Sequence, residues 1–271
     1  MKTGKFTCAS TAVLLTVLFA APALSEEKTE KKDASGCVYE LRTYTTNEGK
    51  LDDLHSRFRD HTVKMFEKHG MKSVGYWVPT DEEKSKNTLI YILKHKSREE
   101  AMESWEEFNS DSEWRKVAKA SNANGRILAK KPERVFLKAT EYSPNAFAGD
   151  PENKDKICQL RIYYIKEGMR KKLDERFEKG TIRLFAKQGI ESLCYFHPAE
   201  EDKADQALYY IIRFKDENAT KTAWKAFLSD PEWHEFRKPY GKPVAKAKTA
   251  FMKPTDYSPT VKKEEEDAAK K

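Results

Sequence analysis

Residues 37–45, CVYELRTYT, return at residues 157–164 as ICQLRIYY, and this pair of stretches decides the fold. Each alternates in character and is rich in β-formers, so each reads as a strand. At an offset of 119 residues, Leu41, Arg42 and Tyr44 fall on Leu160, Arg161 and Tyr163. The register holds outward from there. Gly49 meets Gly168, Phe58 meets Phe177, Phe66 meets Phe185, Gly70 meets Gly189 and Tyr76 meets Tyr195. Pro79 meets Pro198, Tyr91 meets Tyr210, Trp105 meets Trp224, and Asp111 and Trp114 meet Asp230 and Trp233. Near the end the offset falls to 115, where Tyr142-Ser143-Pro144 meets Tyr257-Ser258-Pro259. The second copy therefore lacks four residues, placed by the flanking matches within residues 116–131. Two long copies are duplicated domains, not a solenoid of many short units.

Each copy reads as β-α-β-β-α-β. After the strand at 37–45, residues 48–69 carry Leu51, Leu54, Phe58, Val63 and Phe66 at helical spacing, with Asn47 as N-cap and Gly70 as stop. Strands follow at 71–78 and 88–95, separated by the charged loop 81–87. Ser97 caps a helix running to Phe108, with Glu100 at the capping-box position. A short helix starts at Asp111, and the last strand is 133–140. The second copy gives strands at 157–164, 190–197, 207–214 and 247–253, helices at 167–188 and 217–228, and a short helix from Asp230. The fold class is α+β: two ferredoxin-like repeats, each an antiparallel sheet with helices on one face. The bare sheet faces can bury each other within one chain.

The chain has 271 residues, a net charge of +7 and 38% hydrophobic residues, enough for a packed core. Lys2 and Lys5, the uncharged stretch Phe6–Ser25 and the small residues of APALS at 21–25 have the layout of a signal peptide, with cleavage expected after Ser25 or Ala23. The expected organisation is a signal peptide at 1–25, a charged disordered linker at 26–36, domains at 37–144 and 157–259, and a charged disordered tail at 260–271. The expected location is secreted or periplasmic, with no membrane attachment after cleavage. Cys37, Cys158 and Cys194 remain beyond the leader; an odd count without CxxC spacing is neither a disulfide scaffold nor a thiolate zinc site.

In the first strand Leu41 and Thr43 share one face, as do Leu160 and Ile162 in the second copy. Assigned to the helices, these positions leave Arg42, Tyr44, Arg161 and Tyr163 facing the interior between the two sheets. A fixed guanidinium beside a phenol suits a carboxylate or other anion. The competing reading is an internal ion pair, for which Glu40 is the adjacent acid. Tyr91 and Tyr210, matched across the repeat, complete the candidate ligand-binding set. Trp105, Trp114, Trp224 and Trp233 recur with the repeat and read as core. No histidine has a histidine at its repeat partner, and no HxxxH or HExxH spacing occurs, so no metal is expected. GxSxG, P-loop and GxGxxG patterns are absent, and lysines interleaved with acids on the helices make a solvated face, not a nucleic-acid stripe.

The stretches YELRTY (39–44), GKL (49–51), EKHG (67–70), VGYW (74–77), Trp105 and DSEW (111–114) resemble a NIPSNAP domain. LRIY (160–163) and DPEW (230–233) repeat the resemblance more loosely, and together they cover about residues 37–259. The resemblance implies a dimeric α+β barrel, formed here within one chain as a pseudo-dimer. It implies no defined reaction: NIPSNAP relatives are linked to mitochondrial trafficking and quality control. The wider barrel class includes haem-degrading and quinone-forming monooxygenases as well as small-molecule binders. The secretory leader and the duplication depart from the mitochondrial relatives, so their partners do not carry over. The expected function is binding of an unknown small molecule or protein in the barrel interior, with homo-oligomerisation possible and no cofactor. The alternatives are a monooxygenase, cofactor-independent or haem-dependent with His61 as the ligand, and a structural assembly module.

Overall fold

The structure, a computed structural model, describes Met1 and residues 36–144, 156–200 and 202–259. The expected signal peptide, most of the linker and the C-terminal tail lie outside the described residues. In the first half, β1 (Val38–Thr45) leads to α1 (Leu51–Arg57) and α2 (Val63–Lys68), which a π-helical turn at Phe58–Thr62 joins into one rod. Then come β2 (Lys72–Pro79), β3 (Thr88–His95), α3 (Arg98–Ser110), α4 (Ser112–Ser121) and β4 (Glu133–Ala139). The second half repeats this order: β5 (Ile157–Ile165), α5 (Arg170–Arg176), a π-helical turn at Phe177–Thr181, and α6 (Ile182–Lys187). It continues through β6 (Glu191–Pro198), β7 (Ala207–Phe214), α7 (Glu217–Ser229), α8 (Pro231–Phe236) and β8 (Val244–Pro254).

The eight strands close into one antiparallel barrel in the order β1-β3-β2-β8-β5-β7-β6-β4. Within each half the central pairing is long, from Val38↔His95 to Thr45↔Thr88 and from Ile157↔Phe214 to Tyr164↔Ala207. Two short seams join the halves, β2 to β8 around Val78↔Lys253 and β4 to β6 around Lys138↔His197. Closure removes the sheet edges that two separate ferredoxin-like units would expose.

Local signals explain the element boundaries. Ser97 accepts from the Glu100 N–H at 3.1 Å, and Asp111 and Asp230 cap α4 and α8. Asn47 is not the cap of α1: Lys50 stands there, and Asn47 instead donates to the Arg126 carbonyl at 2.7 Å. Gly70 ends α2 at φ 73°, a left-handed turn that a Cβ would strain, and Met71 N–H returns to the Phe66 carbonyl at 2.9 Å. The helical stretch keeps the 119-residue offset to its end, at Ser121 in the first half and at a 3-10 turn closing on Tyr240 in the second, so the four-residue shortening falls in the connection to the last strand.

The barrel interior is apolar and drawn from both halves. Tyr39, Leu41, Ile90 and Ile92 meet Cys158, Leu160, Cys194 and Phe196 in one buried cluster, with Ile162 packed against it. This overturns the expected facing of β1 and β5. Leu41, Leu160 and Ile162 point into the barrel, whereas Tyr44 and Tyr91 pack under the helices of the first half, and Tyr163 and Tyr210 under those of the second. The expectation failed because both faces of each sheet are covered. Alternation shows that two faces differ but not which one meets the helices. In the middle of the closed interior a charged head would find neither partner nor water, so that space takes the predominantly apolar row.

The Tyr-Ser-Pro repeats are reciprocal clamps. Beyond β4, Tyr142 donates to Asp174 of α5 at 2.7 Å, and Ser143 Oγ accepts from the Tyr195 N–H at 3.0 Å. Beyond β8, Tyr257 Oη lies 2.7 Å from His55 of α1, and Ser258 Oγ accepts from the Tyr76 N–H at 3.0 Å. Each half therefore ends on the other half's helix and sheet.

Candidate functional site

Arg42 sits opposite Tyr91 across the β1–β3 ladder, and Arg161 sits opposite Tyr210 across β5–β7. That register brings the six expected candidates into two equivalent corners between sheet and helices. The corners differ in chemistry. Glu40, fully buried, accepts from Arg42 Nη1 at 2.6 Å on one oxygen. Its other oxygen accepts from Trp105 Nε1 at 2.6 Å and from His95 Nε2 at 3.2 Å. The Trp105 ring also lies 4.1 Å from the Arg42 guanidinium carbon. Burial alone would raise the Glu40 carboxyl, but the bonds from His95, Arg42 and Trp105 hold it below its usual range. In the second corner Gln159 replaces Glu40 and Phe214 replaces His95. Trp224 donates to Gln159 at 3.1 Å, and Arg161 reaches Tyr210 Oη at 2.7 Å, Tyr163 Oη at 2.9 Å and Gln159 at 3.3 Å. There a neutral network satisfies the guanidinium. In the first corner Arg42 Nε and Tyr91 Oη are buried without a well-formed hydrogen bond.

The first corner also opens into a cavity of about 340 Å³, within the range of small-molecule sites. Its aromatic wall is Tyr44, Phe58, Phe66, Trp105, Phe108 and Trp114, and its cations are Arg42, Arg57 and Arg134. The π-helical turn aims Arg57 and Phe58 at the sheet, and Thr62 Oγ1 donates to the Arg57 carbonyl that the turn frees, at 3.1 Å. Arg57 is only 7% exposed. It lies 5.6 Å from the Trp114 ring centre, donates weakly to Ser121 at 3.3 Å, and leaves Nε unpaired. Burial lowers its affinity for the proton. Neither Arg57 nor Arg134 forms an ion pair among the described residues. Only the Arg42 charge is matched, by Glu40 behind the wall. The cavity is aromatic with a surplus of positive charge. None of its thirteen lining residues is Asp, Glu, His, Lys or Cys, so the wall offers no side chain that would take a proton near neutral pH.

Arg42 and Tyr44 thus line a cavity, though not the barrel interior. Tyr91 lies behind it, and Arg161, Tyr163 and Tyr210 form the closed neutral network. Arg57, Arg134, Trp105 and Trp114 were missed as site residues. Arg57 matches Arg176 across the repeat, a signal that was available; Arg134 matches Thr249 and gave none. His61 is exposed and lies in a neighbouring polar groove with Asp53, Asp60 and Lys116, which shares Arg57 with the aromatic cavity. No histidine lines the aromatic cavity, so its wall offers a haem held there no histidine ligand. In the second half the groove position is closed: Gly180 replaces His61, and a Cβ there would meet the Phe236 ring at 2.4 Å. Cys158 and Cys194 are buried in the barrel; burial pushes the Cys158 thiol up to about 12 and raises that of Cys194, so neither is a ready nucleophile.

Among solved structures the fold is shared widely at low identity. A protein of Fusobacterium nucleatum subsp. nucleatum, named for a proposed monooxygenase activity, aligns with a TM-score of 0.57 at 11% identity, over 84% of this chain and 100% of its own. An anthrone oxidase-like protein aligns with a TM-score of 0.53 at 12% identity, over 83% of this chain and 94% of its own. A NIPSNAP family protein of unknown function from Agrobacterium tumefaciens is 20% identical over 41% of this chain and 97% of its own, with a TM-score of 0.36. No curated protein matches the chain. The NIPSNAP family pattern matches twice, over residues 39–144 and 158–259, which is most of the polypeptide. With its repeated strand, its reciprocal clamps and both domain matches, the chain belongs to the NIPSNAP family.

Proposed function

We propose that the first half binds a small aromatic anion between its helices and its sheet. The observation that carries this reading is the aromatic cavity whose Arg57 and Arg134 have no carboxylate partner. Rings on the wall favour a flat apolar body, and the surplus guanidinium charge favours a carboxylate or phenolate head. The second half, with Arg161 already bonded to two tyrosines and Gln159, acts as its scaffold. The lack of a proton acceptor on the wall favours binding over turnover. The test is calorimetric titration of the purified protein with 2-naphthoate and with the uncharged 2-naphthylmethanol. Tighter binding of the anion, weakened in Arg134→Ala, supports the reading; equal affinities, or no binding of either, overturn it. We further propose that residues 1–25 direct export. N-terminal sequencing of the protein made in an exporting host checks this, and a chain still beginning at Met1 refutes it.

A further inference from the structure

The two seams of the barrel are built alike and filled differently. At the β4–β6 seam, Val38, Ala101 and Phe136 form a buried cluster with Ala199 packed against it. Over the Phe136 ring lies Arg98, its guanidinium carbon 3.5 Å from the ring centre. The equivalent residues at the β2–β8 seam are Ile157, Thr220, Phe251 and Thr80, and the place of Arg98 is taken by Glu217. The backbone contact is the same: Ala199 N–H donates to the Phe136 carbonyl at 2.8 Å, and Thr80 N–H to the Phe251 carbonyl at 2.9 Å. The filling is not. No cation lies over Phe251 among the described residues. Instead, Phe251, Ile157 and Trp224 line a cavity of about 340 Å³, with Glu217 and Lys221 at its rim.

We propose that this second cavity binds a small organic cation, a guanidinium or amine carried on an apolar body. The first half shows that this fold seats a guanidinium on the ring, since Arg98 does so there. A ring face attracts a cation, more strongly once water is excluded. In the second half the chain supplies the ring and, at the position of the missing cation, a carboxylate of opposite charge. Glu217 forms no ion pair among the described residues, although Lys221 stands one helical turn away at the favourable i,i+4 spacing. The end of α7 disfavours a cation through its dipole, but Asp216 and Glu217 counter it, Asp216 already holding the Ala219 N–H at 2.8 Å. Lys221 repels the charged end of the ligand and so orients it toward Glu217. Ile157 and Trp224 hold the apolar body. This site is independent of the anion cavity of the first half and has the opposite charge preference.

The experiment is titration of the whole protein with benzylguanidinium and with neutral benzylurea, followed by calorimetry. The cation is expected to bind about tenfold or more tightly than the urea, and Glu217→Gln is expected to erase that difference. Glu217→Arg rebuilds the first-half arrangement, so it is expected to fill the cavity, abolish benzylguanidinium binding and raise Tm. The far-ultraviolet circular dichroism of both variants matches that of the unaltered protein and reports that the fold is intact. Equal binding of the two probes, undiminished preference in Glu217→Gln, or no binding of benzylguanidinium to the unaltered protein overturns the proposal.

Discussion

The first corner of the molecule holds its arginine with a charged acceptor, and the second holds it with neutral ones. Arg42 depends on a buried carboxylate that Trp105 and His95 share, while Arg161 rests on two phenols and an amide, with Phe214 where His95 would stand. The backbone is common to both: the same ladder, the same π-helical turn, the same tryptophan stacked on the guanidinium at 4.1 and 4.4 Å. Duplication therefore preserved the geometry and let the electrostatics diverge. A buried ion pair is not itself strong evidence of stability, but breaking one leaves an uncompensated charge. The charged corner is the one that opens into a cavity with unmatched cations, and it is the one we assign to ligand.

The largest effect should come from testing the charge directly. Glu40→Ala leaves Arg42 buried without its acid and should destabilise by about 3–5 kcal/mol. Gln159→Ala removes a neutral acceptor but leaves Arg161 its two phenols, and should cost about 1–2 kcal/mol. Denaturant titration of both variants decides, and equal losses would end the distinction between the corners. Next in size is the closed groove: Gly180→Ala drives a methyl into the Phe236 ring and should cost about 1–3 kcal/mol by overpacking. A change below the error of the measurement would show that Phe236 does not fill that space. His61→Ala, at the open position in the other half, should stay within about 0.5 kcal/mol.

A smaller and pH-dependent effect follows from the acids. Glu40 is depressed in the fold, so its contribution is present above its unfolded value, about 4.3, and is lost as pH falls through the lower folded value. Asp174, held down by His197 against the opposing effect of burial, loses its contribution in the same direction in the second half. Melting temperature measured from pH 7 to pH 3 should therefore fall less steeply in Asp174→Asn than in the unaltered protein. Parallel curves would show that Asp174 titrates alike folded and unfolded. The smallest effect is on affinity: Arg134→Ala, at an exposed position, should weaken 2-naphthoate binding by about three- to tenfold without moving Tm.

Most of the fold was legible because the duplication made each weak signal appear twice. The alternating strands, the caps Ser97, Asp111 and Asp230, and the stop at Gly70 all fell where local chemistry required. The facing of the first strands was not legible, since Leu41 and Arg42 each lie on a covered face and only barrel closure decides between them. The Glu40–Arg42 pair was visible as an adjacent acid on the same row. That His95 and Trp105 share that acid depends on the β1–β3 register and on where α3 lies, neither of which spacing along the chain fixes. The cavity was not legible either, because it arises where Arg134 of β4, a residue with no arginine at its repeat partner, meets the helix rod.

The reciprocal clamps carry a consequence for how the chain reaches this state. The β4–β6 seam joins neighbouring stretches of sequence, whereas the β2–β8 seam joins nearly the beginning of the domain pair to its end, Val78 to Lys253. Closing the longer loop loses more chain entropy before any contact rewards it. The β2–β8 seam is thus expected to zip last and to breathe first, with amide protons at Val78 and Lys253 exchanging faster than those at Lys138 and His197. Slower exchange at the first pair would reverse that order.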